Sequence, residues 1–151
     1  MNEDMKQRRL ALLQEHFDSE VDREFDRTVA TFAGTPRYEI MPTGQVYEGE
    51  EAVIAYHTAQ RNAFPDQHQE NVRFHFADDE VISEFELVGT NTGEFMGGAP
   101  TGKSFRVPLV AVFSFDGDKI TNERVYLDLL TMLRQIDRLD LLSTMGGDAT
   151  V

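Results

Sequence analysis

Between Gln69 and Asp128, apolar and polar residues alternate with a period of two, whereas from Leu10 to Phe32 the apolar residues recur at steps of three or four. The first pattern belongs to half-buried strands and the second to a helix with one buried stripe. A chain that places helices first and a run of strands afterwards buries both apolar faces by packing the helices on one face of a sheet. An α+β fold is therefore expected. The chain has 151 residues, 40% of them hydrophobic, which suits one core and one domain over 1–151. Its ordered part is expected at about 8–138, with a frayed tail over 143–151.

The helical stripe Leu10, Leu13, Phe17, Val21, Phe25, Val29 and Phe32 makes residues about 4–33 helical. It fits one bent helix or two, with Asp22 or Asp26 available to cap the second, and Gly34 and Pro36 end it. "RYEIMP" reads as a short strand, and Thr43-Gly44 and Glu48-Gly49 are turn signals around "QVY". Glu50 and Glu51 suit a helix N-terminus, and Val53, Tyr56, Ala59, Ala63 and Phe64 carry a helical face as far as Pro65. Four strands follow, at about 69–77, 80–92, 104–116 and 119–128. Asp116-Gly117 marks the tightest of their turns. In "LLTMLRQIDRL" the helical spacing is Leu130, Leu133, Ile136 and Leu139.

The formal charge of −13 argues against a nucleic-acid partner, because such binding rests on clustered Lys and Arg neutralising phosphates. No run of about 18 apolar residues occurs, and "MNEDMKQRRL" lacks the apolar core of a signal peptide; no membrane partner is expected. The absence of cysteine removes disulfides and thiolate chemistry and fits a cytoplasmic setting.

Residues 97–104, "GGAPTGKS", match the phosphate-loop pattern G-x-x-x-x-G-K-[ST] letter for letter. That motif needs a strand before it and a helix after it, so that backbone N–H groups and the helix N-terminus face the phosphates. "SFRVPLVAVFSF" has no helical spacing, and Pro108 would cost a helix about 3 kcal/mol. A hairpin between two strands is expected instead, and no nucleotide.

In its wider setting the same loop reads "GTNTGEFMGGAPTGKSF", followed by "DGDKITNERVYLDLLTMLRQI". With "PTGQVYEGEEAV" and "FPD" upstream, these segments resemble, in order and spacing, the SnoaL-like polyketide cyclase family and its ester-cyclase-like relatives, within the nuclear transport factor 2-like superfamily. The resemblance runs from about Leu10 to Ile136. It implies a cone-shaped sheet wrapped around the N-terminal helices (a cystatin-like α+β barrel), a pocket for a hydrophobic small molecule, frequent homodimers through the outer sheet face, and no metal or organic cofactor. It also implies that Asp128, at the end of the last strand, is the general acid and base of a cyclisation. Asn91 stands where many relatives have His, and "VPLVAVFSF" offers only Ser114 as a polar group.

Alternation in "NERVYLD" places Asn122, Arg124, Tyr126 and Asp128 on one strand face and Glu123, Val125 and Leu127 on the other. With the polar face inward, enclosure would raise Asp128 toward neutrality, with Tyr126 and Arg124 beside it. Ketosteroid isomerases run such chemistry with an Asp base. Equally, Asp128 could simply cap the helix that starts at Leu129. Tyr38, Phe85 and Asn91 are expected as pocket lining, although Phe85 could simply be core and Asn91 could instead shape the turn. His75 faces opposite to Phe74 and Phe76, so it is exposed if they are core and a second acid or base if it faces the pocket. His68 could reach the pocket rim. His16 and His57 fall on helices with a surface or packing role as the default, and no metal site is expected. Glu84 and Glu86 share a strand face and are expected in solvent. Three functions remain open: a cyclase or isomerase, an epoxide hydrolase or dehydratase on the same fold, and a binding or dimerisation module.

Overall fold

The computed structural model describes residues 1–145; the rest of the expected tail lies outside the described residues. Helix α1 (Glu3–Val21) begins at Asn2, whose side chain accepts from the Met5 N–H, with Glu3 and Asp4 in the first turn. Both features satisfy and neutralise the positive N-terminal end. The helical stripe breaks at Arg23, at φ 59, so two helices form, and α2 is Phe25–Val29. Asp22 is the C-cap of the first helix; Glu24 precedes the second.

Strands β1 (Arg37–Ile40) and β2 (Gln45–Glu48) make a hairpin, and α3 (Glu50–Ala63) follows. The remaining strands are β3 (His68–Phe76), β4 (Glu80–Thr90), β5 (Ser104–Asp116) and β6 (Lys119–Leu127). Helix α4 (Leu129–Gln135) and a short 3₁₀ helix (Leu139–Ser143) are the last elements of the described chain. Asp137, at φ 62, ends α4 early. Met132, Leu133 and Ile136 are buried while Leu130 and Leu139 are exposed, so the last apolar stripe is narrower than its spacing suggests.

The six strands form one curved sheet in the order β2-β1-β6-β5-β4-β3, with the helices packed against it. Every pairing is antiparallel except β1 with β6, which is parallel. Along β4 and β5, burial alternates residue by residue, and the inward rows (Val81, Phe85, Leu87; Phe105, Val107, Leu109, Phe113) form the core with Leu13 and Phe17. Phe17 sits among Phe74, Phe85 and Phe113, at ring separations of 6.5, 5.7 and 5.8 Å. These are ordinary distances for edge-to-face and offset packing. Arg9 ties α1 to two sheet turns, donating from Nε to the Gly117 carbonyl and from Nη1 to the Asp78 carbonyl.

Ser104 opens a strand, so no helix follows "GGAPTGKS". Lys103 instead faces Asp137 at 3.4 Å on the surface, and the Ser104 hydroxyl meets that of Thr90. The preceding "GTNTGEF" fastens the sheet to α3. A Cβ on Gly93 would lie 1.9 Å from the Asn62 carbonyl oxygen, so only glycine fits. Asn91 is fully buried; its amide donates to the Gly93 carbonyl, and its side-chain oxygen accepts from the Thr101 N–H. Arg138 covers Gly98 and donates to the Phe95 carbonyl at 2.6 Å.

Candidate functional site

A cavity of about 1190 Å³ lies between the inner face of the sheet and helices α1, α3 and α4. It exceeds the usual 300–1,000 Å³ or so of small-molecule sites, and most of its wall is apolar: Phe17, Ile40, Phe85, Leu87, Leu109, Val125 and Met132 all contribute. Glu20, Tyr38, His57 and Glu123 interrupt that wall, each under a tenth exposed. His16 stands directly behind them with no exposure.

Three separate segments bring these groups together. His16 and Glu20 are four residues apart on α1, hence on one helix face, and that face is the one carrying Leu13 and Phe17 into the core. Tyr38 comes from β1 and Glu123 from β6, and the two are register partners in the parallel pairing. The His16 Nε2 lies 2.9 Å from the Tyr38 hydroxyl, 3.1 Å from Glu20 and 3.2 Å from Glu123. On its far side, Nδ1 lies 2.9 Å from the Thr31 hydroxyl, which itself donates to the Thr28 carbonyl. With its only proton so committed, Thr31 must accept from His16, which fixes a proton on Nδ1.

A buried imidazole facing two carboxylates keeps a second proton. Burial alone would lower His16, but the charge of Glu20 and the hydrogen bonds to Glu123 and Glu20 override it and raise its pKa to about 10. Burial would raise Glu20, yet His16, His57 and Arg61 together bring it down to about 2. Glu123 goes the other way: burial and the neighbouring Glu20 charge raise it, against the His16 hydrogen bond. Two carboxylates and one imidazolium thus divide their roles, one fixed as an anion and one moved toward neutrality. His57 is pushed down to about 4, chiefly by burial, and is neutral at pH 7. The His16, Glu20 and Glu123 donor atoms lie within 4.8 Å of one another, close enough to surround a cation.

Together the shifts of His16, His57 and Glu20 are expected to put their contribution to stability at its maximum near pH 6.5. The contribution of His16, whose folded pKa is raised, is complete below 6.5 and is lost as pH rises toward about 10. That of His57, whose folded pKa is lowered, is present above 6.5 and is lost as pH falls toward about 4; Glu20 follows between 4.5 and about 2. Urea denaturation across pH 3 to 10 should give this two-sided profile. A profile flat from pH 6.5 to 10 would contradict the charged state assigned to His16.

On β6 the inward face is the one with Glu123, Val125 and Leu127, the reverse of the expected orientation. Burying Val125 and Leu127 outweighs any preference for a polar face inside. Asp128 lies beyond the strand end, is exposed, and caps α4 by accepting from the Thr131 N–H at 3.0 Å; that bond lowers its pKa rather than raising it. Tyr126 is 43% exposed, and Arg124 pairs with Glu80 at 3.2 Å, with neither lining the cavity. His75 is on the outer face against Glu84 at 3.1 Å, and Glu86 meets Arg106 there at 2.9 Å. Asn91 belongs to the loop fastening and is not in the cavity wall. Of the residues singled out in the sequence, the structure brings Tyr38 and Phe85 to the cavity. His57, expected in a surface or packing role, and Glu123, placed on the strand face opposite the expected pocket side, are in the wall instead; His16 stands behind them, and Glu20 was not expected at a site at all. Their signal was polar residues at buried positions of otherwise apolar stripes: Leu13, His16, Phe17 and Glu20 follow helical spacing.

Among the described residues, no helix is long and apolar enough to cross a membrane. The family model described as SnoaL-like polyketide cyclase matches residues 11–136. A solved SnoaL-like polyketide cyclase candidate from Jannaschia sp. CCS1 is 25% identical, with a TM-score of 0.75 over 86% of this chain and 92% of that one. A polyketide cyclase candidate from Xanthomonas campestris pv. campestris superposes with a TM-score of 0.79 at 18% identity, covering 87% of this chain and 98% of its own. A protein of ketosteroid isomerase-like fold from Catenulispora acidiphila, solved with trimethylamine, gives a TM-score of 0.72 at 18% identity over 83% and 92% of the two chains. No curated protein matches the chain in sequence.

Proposed function

The chain belongs to the SnoaL-like polyketide cyclase family, and from that premise we propose that it is an enzyme that moves protons on a hydrophobic, oxygenated small molecule, in a cyclisation or isomerisation. The observation that carries this is the buried carboxylate pair in the wall of a largely apolar cavity, with the His16 imidazolium directly behind it. Glu123 is the acid and base: burial and the neighbouring Glu20 charge raise its carboxyl above that of an exposed glutamate, the direction that suits a group that both takes and returns protons. It removes a proton from carbon next to a carbonyl and delivers it elsewhere on the same molecule. His16, bonded to it from behind, supports the ionised form that the step needs. The apolar wall keeps water from competing for the carbanion.

The test is deuterium incorporation, followed by NMR, into a panel of bicyclic ketones such as 2-tetralone in heavy water. The protein should accelerate exchange at the carbon next to the carbonyl well above the buffer rate. Ketones that bind without exchanging would leave a binding module in place of an enzyme. We also propose a homodimer through the outer sheet face, where Ile82, Val88, Val110 and Val112 remain only partly covered and Pro108 and Tyr126 are exposed. Light scattering should give twice the chain mass; a monomer at micromolar concentration would exclude it.

A further inference from the structure

His57 Nε2 is buried, and among the described residues no group hydrogen-bonds to it. The ring is stacked on Phe25 at 5.4 Å and edge-on to Tyr38 at 5.0 Å. A buried polar atom with no partner costs free energy, and this one belongs to a residue of the cavity wall. The nearest charge is Glu20, whose Oε1 is 3.6 Å away, beyond hydrogen-bond reach. Oε1 already takes the His16 and Tyr38 contacts, while Oε2 accepts from none of the described groups.

We propose that His57 and Glu20 form a seat for a hydroxyl group of the ligand: an alcohol, phenol or enol oxygen that accepts from His57 Nε2–H and donates to the Glu20 carboxylate. This rests on the proposed small-molecule function of the cavity and names the polar group it selects. Nε2 is covered as the side chains stand, so the His57 ring and the Glu20 carboxylate, 3.6 Å apart at Oε1, part slightly to admit an oxygen about 2.8 Å from each. The negative charge of Glu20 favours the tautomer with the proton on Nε2, so the imidazole donates and the carboxylate accepts. Only a group that both accepts and donates satisfies the two together. A carboxylate or phosphate ligand meets three acidic side chains in the wall, Glu20, Glu94 and Glu123, with no Lys or Arg in it. An ammonium can pair with Glu20 but offers nothing to the His57 N–H. An ether or a bare hydrocarbon leaves both wall groups unpaired.

The test uses one skeleton with four groups, naphthalene, 2-methoxynaphthalene, 2-naphthol and 2-naphthoate, titrated by calorimetry against the wild-type protein and His57→Phe. Wild type should bind 2-naphthol about tenfold tighter than the methoxy compound and 2-naphthoate more weakly than either. In His57→Phe, naphthol and methoxynaphthalene should bind alike. Equal binding of naphthol and methoxynaphthalene by wild type, or tighter binding of the naphthoate, would overturn the seat and leave the cavity as a small-molecule site. No binding of any of the four would overturn the seat and the cavity's function together. The wild-type ranking decides the matter even if the variant does not fold.

Discussion

Substituting His16 by leucine is expected to lower stability by about 3–5 kcal/mol, the range for breaking a buried ion pair by removal of one partner. The reason is what stays behind. Glu20 and Glu123 are each under a tenth exposed and both face the place His16 Nε2 occupies. Without the imidazolium they face each other across an apolar hole, and Thr31 loses the group its hydroxyl accepts from. The double variant His16→Leu/Glu123→Leu should therefore be more stable than His16→Leu alone, because it removes one of the two carboxylates left facing each other and with it their repulsion. Denaturant melts of the three proteins check this. Independent, additive losses in the double variant would mean that the cluster does not act as a unit.

The second large effect concerns Glu123→Gln, which should slow the deuterium exchange reaction by about 10²–10⁴-fold, the usual contribution of a positioned acid or base. Glutamine keeps the length and an oxygen for His16 to bond, so the fold and ligand affinity should survive while the transferable proton does not. Asp128→Asn is the matched control, since asparagine also caps helices well and the side chain lies outside the cavity. It should exchange at the wild-type rate. If Asp128→Asn lost activity and Glu123→Gln kept it, the acid and base would lie at the strand end and not in the cavity wall.

Both substitutions turn on a distinction that alternation along a strand does not make. Period two sorts "NERVYLD" correctly into two faces, but which face is inward depends on what the neighbouring elements bury. Here Val125 and Leu127 decide it, and Glu123 is carried inside with them. The element order, the hairpin at "GGAPTGKS" and the start of α3 follow from local features, namely turn residues, β-rich runs and acidic first turns, and so they were legible. The His16 cluster was less so. Its signal lies in the phase of one helix: His16 and Glu20 share a stripe with Leu13 and Phe17, although Val21, which continues the apolar count, is 46% exposed. That His57 meets them from α3 depends on packing between segments about forty residues apart. The parallel contact of β1 with β6 has no local signature at all.

That last contact also orders events while the protein is being made. β1 and β6 are register partners at Tyr38 and Glu123, so roughly 80 residues must leave the ribosome after β1 before it has a sheet neighbour other than β2. At about 5–20 residues per second this takes roughly 4–16 s. As β3, β4 and β5 emerge they can cover the apolar stripe of α1 through Phe74, Phe85 and Phe113, but His16 lacks Glu123 until β6 follows. The same strand that completes the sheet therefore delivers, last of all, the carboxylate proposed to do its chemistry.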